Sequence, residues 1–215
     1  VDEGALRKLV PPTPAVSCLP GFESEYAWVQ AQHANPAWAL RRGFDFAQGL
    51  FPPSRYVGGL ADILKRVQAA LQCSILKCES VLHPLLAARF EITWAEFQDT
   101  LPDTPDVSRE PETVFHGTGE RNLASIVQRG LMAGGSSSAV PVRHGSALGS
   151  GIYTSASPGF ASGYADCGRL IVVAALRGRH RSAGGGGRSM LQCHSVCTAD
   201  DSQIVLQHPR QVLPV

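Results

Sequence analysis

The apolar segment Leu170–Leu176 constrains the fold more than any other part of the chain, because neither of its faces offers a polar position. A strand is apolar on both faces when both are buried, so the segment predicts a central strand of a sheet. Further strand-like segments follow at Met190–Val196, Gln203–Leu206 and Gln211–Val215. After residue 110 strands outnumber helices without strict alternation of the two. This pattern predicts an α+β domain with a largely antiparallel or mixed sheet.

Three helices are predicted between residue 58 and this strand. One follows Gly58-Gly59, a second begins at Pro84, and a third covers Glu120–Arg129 after a short strand at Thr113–His116. Gly130 suits the left-handed backbone that often ends a helix. The first two helices place the following apolar residues on or near one face: Leu60, Ile63, Leu64, Val67 and Leu71, and then Leu86, Phe90, Trp94 and Phe97.

The chain divides into two predicted regions. Residues 1–72 form a mostly helical N-terminal region, with helices at Glu23–Ala31 and from Asn35 towards Arg42. Residues 73–215 form the α+β domain, which begins with a strand at Ser74–Val81, where polar and apolar residues roughly alternate.

Three glycine-rich or proline-rich segments are predicted to be loops. Asp99–Pro111 is acidic and proline-rich, and residues 132–148 lack any periodicity, as in a long functional loop. Gly178–Arg188 is predicted to be a flexible connection. Its run Gly184–Gly187 lacks the lysine of a phosphate-binding loop, so a linker is the better interpretation.

Composition narrows the class of protein. The 215 residues are 44% hydrophobic and have a net charge of +1, which gives no electrostatic reason for broad nucleic-acid or membrane affinity. No apolar run is long enough to span a bilayer, and the N-terminus lacks the features of a signal peptide. The 6 cysteines fit neither a disulfide scaffold nor a zinc site. We therefore expect an intracellular protein with reduced thiols and no structural metal.

The candidate functional residues lie in two motifs and a separate tyrosine. His116-Gly117-Thr118 comes first, Gly149-Ser150-Gly151-Ile152-Tyr153 follows it, and Tyr164 lies further on. Each is weak alone. The glycines of the second motif lack the third glycine and long helix of a dinucleotide-binding βαβ unit, so that type of site is rejected.

Together and in this order, these motifs resemble the NAD-binding elements of the poly(ADP-ribose) polymerase-like (PARP-like) ADP-ribosyltransferases. The resemblance covers about residues 73–215. His194-Ser195-Val196, Ser202–Leu206 and Gln211-Val212 are similar to the closing strands of that family. It implies two packed, mixed or antiparallel sheets with flanking helices. It also implies that NAD is a co-substrate whose nicotinamide–ribose bond is broken.

The resemblance assigns roles to individual residues. The backbone N–H and C=O of Gly117 would bind the nicotinamide carboxamide, with Tyr153 and Tyr164 stacked on either side of the cationic ring. His116 would bind an adenosine ribose hydroxyl. Four further positions belong to the implied site: Thr118 and Asn122 as polar contacts, Gly151 in the second motif, and Ala161 where many members have serine. Met132 stands where an arginine often contacts the adenosine.

The predicted chemistry depends on Gln203. It occupies the position of the glutamate that polymerising members use, although an alignment shifted by one residue would put Ile204 there. Glutamine accepts a hydrogen bond but has no negative charge. The resemblance thus implies a mono-ADP-ribosyltransferase with His116, Tyr153 and Gln203 as catalytic residues. Two alternatives are a catalytically silent NAD-binding module and an NAD hydrolase.

The acceptor is predicted to be a protein, with a nucleic-acid end as the other option. A local basic cluster is one place where an acidic acceptor could dock, although most such clusters are solvated loops. Its members are Arg177, Arg179, Arg181 and Arg188.

Overall fold

The computed structural model describes residues 40–43, 56–134, 148–183 and 193–215. The three helices predicted between residue 58 and Leu170 are confirmed, and within the described residues a short fourth helix follows them. Their bounds are α1 Leu60–Leu71, α2 Pro84–Thr100, α3 Glu120–Arg129 and α4 Pro158–Ser162, with a 3₁₀ turn at Pro209–Gln211. Gly130 ends α3 with a positive φ of 82°.

The strands form a three-stranded sheet in the order β10-β6-β4, a five-stranded sheet in the order β3-β7-β8-β9-β5, and the pair β1-β2. Only the β7–β8 pairing is parallel among these strands, so the five-stranded sheet is mixed. The predicted α+β class is confirmed. The strands are β1 Leu40–Gly43, β2 Glu79–Leu82, β3 Val107–Ser108, β4 Glu112–Gly117, β5 Ile152–Thr154, β6 Leu170–Ala175, β7 Gly178–Ser182, β8 Ser195–Cys197, β9 Ile204–Leu206 and β10 Val212–Pro214.

Strand β6 is the central strand of its sheet, as its two apolar faces predicted. On one face, Val173 and Ala175 belong to a core cluster that also contains Ile152 and Ile204 of the five-stranded sheet, so the two sheets pack face to face. On the other face, Ala174 packs with residues of α2. The α2 residues in that second cluster are Leu86, Phe90 and Phe97.

Helix α1 covers the edge of the three-stranded sheet. Ile63 and Val67 form a third cluster with Phe115 of β4 and Ala161 of α4. Helix α1 therefore packs against β4 two residues before Gly117 and against the short helix α4. The division of the chain at residue 72 stays a prediction.

Four predictions of element bounds are wrong. The loop expected at Asp99–Pro111 contains the end of α2 and strand β3. The strand expected at Ser74–Val81 is confined to β2, which pairs with β1. The helix expected to run towards Arg42 meets strand β1 instead. The flexible connection expected from Gly178 begins with β7, because hydrogen bonding to β3 and β8 on its two sides overrides the low strand propensity of its glycine and charged residues.

Several predicted elements lie outside the described residues. They are the helix at Glu23–Ala31, most of the loop at 132–148, and the glycine run Gly184–Gly187. No helix in the described ranges is long and apolar enough to cross a bilayer.

Candidate active site

All nine predicted site residues line one cleft of about 720 Å³. It lies where the C-terminal end of β4, the start of α3, strand β5, helix α4 and the residue before β9 meet. The nine residues are His116, Gly117, Thr118, Asn122, Gly151, Tyr153, Ala161, Tyr164 and Gln203. Met132 lines the cleft as well.

The cleft opens where β4 and β5 separate. Phe115 and Ser155 exchange two backbone hydrogen bonds of 2.8 and 2.9 Å, and this pair is an isolated bridge between the strands. Continued antiparallel pairing would place Gly117 opposite Tyr153, but the structure has no bridge there. Because backbone groups two residues apart in a strand face the same way, the N–H and C=O of Gly117 face away from β6 and towards this gap. A donor and an acceptor therefore lie side by side at the cleft.

The packing of α4 against the end of β4 requires a glycine at position 117. In the structure, a Cβ would lie 1.8 Å from the Ala161 carbonyl oxygen and 3.2 Å from Tyr164 Cβ. The glycine thus allows α4 to pack directly on the end of β4, which brings Tyr164 to the cleft.

We expect Gly117→Ala to destabilise the fold by about 1–3 kcal/mol, because the added methyl group must displace backbone atoms of α4. Thermal unfolding measures this. Gly159→Ala, within α4 itself, is the matched control, since a Cβ at Gly159 would meet nothing closer than 3.7 Å. An equal melting temperature for the two variants would contradict the packing argument.

The His116 ring is held in one tautomer. Its Nδ1 lies 2.8 Å from the Tyr153 carbonyl oxygen, which can only accept, so Nδ1 is protonated and donates. Nε2 of the neutral ring is then an acceptor at the cleft. Burial lowers the pKa of His116, and the hydrogen bond to Tyr153 opposes this shift only in part. The ring is therefore neutral at pH 7, suited to accept a hydrogen bond from a hydroxyl group.

This lowered pKa predicts a pH dependence of stability. The unfolded chain, with a histidine pKa of about 6.5, binds a proton more readily than the folded protein, so stability falls as the pH drops below about 6.5. His116→Asn retains a donor for the Tyr153 carbonyl without titrating in this range. We expect its melting temperature to fall less than that of the wild type between about pH 7.5 and 5.5. If the two melting temperatures fell equally with pH, His116 would not be the neutral, half-buried ring that its lowered pKa indicates.

Tyr153 and Tyr164 both line the cleft, at different depths. Ile152 and Thr154 are buried in β5, so the intervening Tyr153 side chain points to the opposite face. Its hydroxyl donates to the Gly149 carbonyl at 2.8 Å and accepts from Leu148 N–H at 3.2 Å. Burial raises the Tyr153 pKa. This phenol is therefore fixed and uncharged, whereas Tyr164 is 44% exposed and packs at 5.6 Å from the Phe160 ring centroid.

Of the two candidates for the last catalytic position, Gln203 is at the cleft and Ile204 is not. Ile204 is fully buried in the core between the sheets. Gln203 precedes β9, and by the alternation of side chains it shares a face with Val205, the partner of Tyr153. Gln203 lines the cleft, so its amide is within reach of a ligand there.

The remaining predicted residues have structural partners. Asn122 Nδ2 donates to Thr118 Oγ1 at 3.0 Å, and Thr118 is buried. A Cβ on Gly151 would lie 2.4 Å from Val205 Cγ1, so this glycine lets β5 pack closely on β9. Thr118, Asn122 and Gly151 therefore help to shape the cleft.

Sequence reasoning missed Asp166, which is the one carboxylate at the cleft among the described lining residues. Its Oδ1 accepts from Glu120 N–H at 2.7 Å at the start of α3. Gly119, the N-cap residue, has no side chain to do this. The absent cap was a signal in the sequence, but nothing local indicated which distant residue would supply it.

The predicted basic cluster is wrong in one member. Arg177 is only 9% exposed, and its guanidinium donates to both carboxylate oxygens of Asp201. It is a buried ion-pair partner and cannot form part of a docking surface. Arg188 lies outside the described residues.

A comparison with protein-family models gave no match for this chain, and a search of curated proteins gave none either. Its function must therefore be inferred from the cleft.

Proposed function

We propose that this protein is an NAD-dependent mono-ADP-ribosyltransferase with a PARP-like fold that modifies a protein. One observation supports this most. The neutral His116 ring, the free backbone edge of Gly117 and the rings of Tyr153 and Tyr164 line the same cleft. These groups lie far apart in the sequence, and their meeting at one cleft is what a single binding site requires.

The chemical needs of NAD match these groups. A cleft of about 720 Å³ is in the usual range for sites that bind ligands of this kind. The nicotinamide carboxamide needs one donor and one acceptor, and Gly117 has both on its free edge. The tyrosines supply aromatic faces for a cationic ring. Nε2 of His116 accepts from a ribose hydroxyl.

The proposed reaction breaks the bond between ribose C1′ and the nicotinamide nitrogen, and the bonding electrons leave with nicotinamide. The nucleophilic atom of the acceptor forms the new bond to C1′, and its proton is released to water. The intermediate state has positive charge on the ribose, as in glycoside hydrolysis. The Gln203 amide oxygen can accept from a ribose hydroxyl and so orient the sugar. It cannot act as a base, which favours single transfers over chain growth.

A silent NAD-binding module is the second candidate. It is favoured by the absence of a carboxylate at Gln203 and by the engagement of Asp166, the one acidic residue among the described cleft residues, with the start of α3. Such a module would bind NAD without turning it over.

Mass spectrometry of the protein after incubation with NAD separates these outcomes. Single ADP-ribose units on the protein or on an added acceptor, together with free nicotinamide, support the transferase. Nicotinamide release without modification indicates hydrolysis. A raised melting temperature without turnover indicates the silent module, because binding alone stabilises the folded state. Long polymers would contradict the role given to Gln203.

A further inference from the structure

Gln203 ends a tightly bonded turn between β8 and β9. Thr198 N–H donates to the Gln203 carbonyl at 2.9 Å, and Gln203 N–H donates to Thr198 Oγ1 at 3.0 Å. Asp201 N–H donates to the Thr198 carbonyl at 3.1 Å inside the turn. The backbone of Gln203 is therefore fixed relative to the turn, and the placement of its side chain depends on what anchors the turn to the sheets.

Arg177 is that anchor. Its two terminal nitrogens donate to the two carboxylate oxygens of Asp201 at 2.9 and 2.6 Å. This paired geometry fixes orientation as well as distance. Arg177 comes directly after Leu176, whose side chain is fully buried, so its own position is fixed by the core. Its Nε also lies 2.8 Å from a Glu112 carboxylate oxygen, although the N–H direction does not favour a hydrogen bond.

Asp201 has two further features of a fixed residue. Its φ of 53° is in the left-handed region, which costs free energy for a residue with a side chain and persists where the surroundings hold it. Its carbonyl accepts from Ala156 N–H at 3.1 Å, directly after the bridge between β4 and β5. The turn is thus tied both to the end of β6 and to the point where the cleft opens.

We propose that Arg177 and Asp201 are a positioning pair that holds Gln203 at the reacting ribose. This inference rests on the proposed transferase function. Neither residue lines the cleft, so the pair acts only through the placement of the Gln203 side chain. Arg177 is buried but the Asp201 side chain is 35% exposed, and ion pairs of this kind often add little net stability. The position of Asp201 two residues before Gln203 therefore fits a role in geometry better than one in stability.

Asp201→Asn tests the pair with little disturbance. Asparagine tolerates the left-handed conformation and keeps one acceptor for Arg177, but it loses the charge and the paired geometry. We expect kcat for NAD consumption to fall about tenfold, with KM changed less than about twofold. Glu112→Gln is the matched control, because it removes the other carboxylate beside Arg177 without touching the turn. Its kcat should stay within about twofold of the wild type.

A double-mutant cycle separates positioning from general damage. If Asp201 acts through Gln203, Asp201→Asn changes kcat less than about twofold once Gln203→Ala is present. An independent tenfold loss in that background would overturn the proposal. So would an equal loss of kcat in Glu112→Gln.

Hydrogen exchange of the peptide that covers residues 198–203 gives a readout that does not depend on activity. We expect faster exchange in Asp201→Asn than in Glu112→Gln, because the amides of Asp201 and Gln203 are bonded within the turn. If the wild type does not turn over NAD, the transferase proposal is rejected. Hydrogen exchange then still shows whether the Arg177–Asp201 pair holds the turn. Unchanged exchange would overturn the positioning pair even if the enzyme is active.

Discussion

His116→Ala is expected to lower kcat/KM for NAD by about 100-fold. The substitution removes two hydrogen bonds at once: the one from Nδ1 to the Tyr153 carbonyl and the proposed one from a ribose hydroxyl to Nε2. At about 1–1.5 kcal/mol each, their combined loss corresponds to roughly this factor. Release of nicotinamide, measured over a range of NAD concentrations, checks the expectation.

A second substitution separates the two bonds. The side-chain nitrogen of asparagine can take the place of Nδ1, so His116→Asn should restore the contact with Tyr153 and the melting temperature, but not turnover. His208→Ala is the control, because this exposed histidine does not line the cleft. Full activity in His116→Asn would mean that the ring serves only to join β4 to β5, and the proposed contact with ribose would be lost.

The parts of the fold that were predictable are those set by burial. Leu170–Leu176 had to be covered on both faces, and the structure covers it with the second sheet on one side and α2 on the other. Helix α1 was predictable for the same reason, since its apolar residues share one face. Such patterns show which residues are buried, but they do not show which residues pack against them.

What could not be predicted depends on distant partners. Strand β7 has no apolar alternation and exists because β3 and β8 supply its hydrogen bonds. Asp166 completes a helix start that lies 46 residues away in sequence. Arg177 looked like one of several exposed arginines, and only the fold shows that Asp201 and Glu112 surround it. Gly117 was recognised for its motif, but the carbonyl of Ala161 that excludes a side chain there was not visible.

That these residues share one cleft was easier to predict than the segments that hold them. His116, Tyr153 and Gln203 come from three strands or strand ends, the family resemblance assigned them to one site, and all three line the cleft. Alternation of side chains along β9 then decided between Gln203 and Ile204, a choice that alignment left open. The position of the turn before β9 could not be predicted, because it depends on an ion pair between residues that are 24 positions apart in the sequence.

Gln203→Glu is expected to raise the rate of NAD consumption by about tenfold. A carboxylate binds a ribose hydroxyl more strongly than a neutral amide does, and it stabilises the positive charge that develops on the sugar as nicotinamide leaves. Asp200 lies on the same turn and is ionised at the assay pH, since hydrogen bonds from Thr198 and Ser202 lower its pKa to about 2. Its charge opposes ionisation of the new glutamate only weakly, so the gain should be present at pH 7 and should be lost as the pH falls below about 5.

Gln128→Glu is the control for added charge, because Gln128 lies on the exposed face of α3 and does not line the cleft. It should leave the rate unchanged, whereas Gln203→Glu should raise kcat with little change in KM, as expected for a contact that strengthens as the bond breaks. If NAD affinity rose and kcat did not, residue 203 would contact bound NAD without stabilising the transition state. An inactive wild type that gains turnover through Gln203→Glu would instead identify a binding module whose catalysis was lost at this single position.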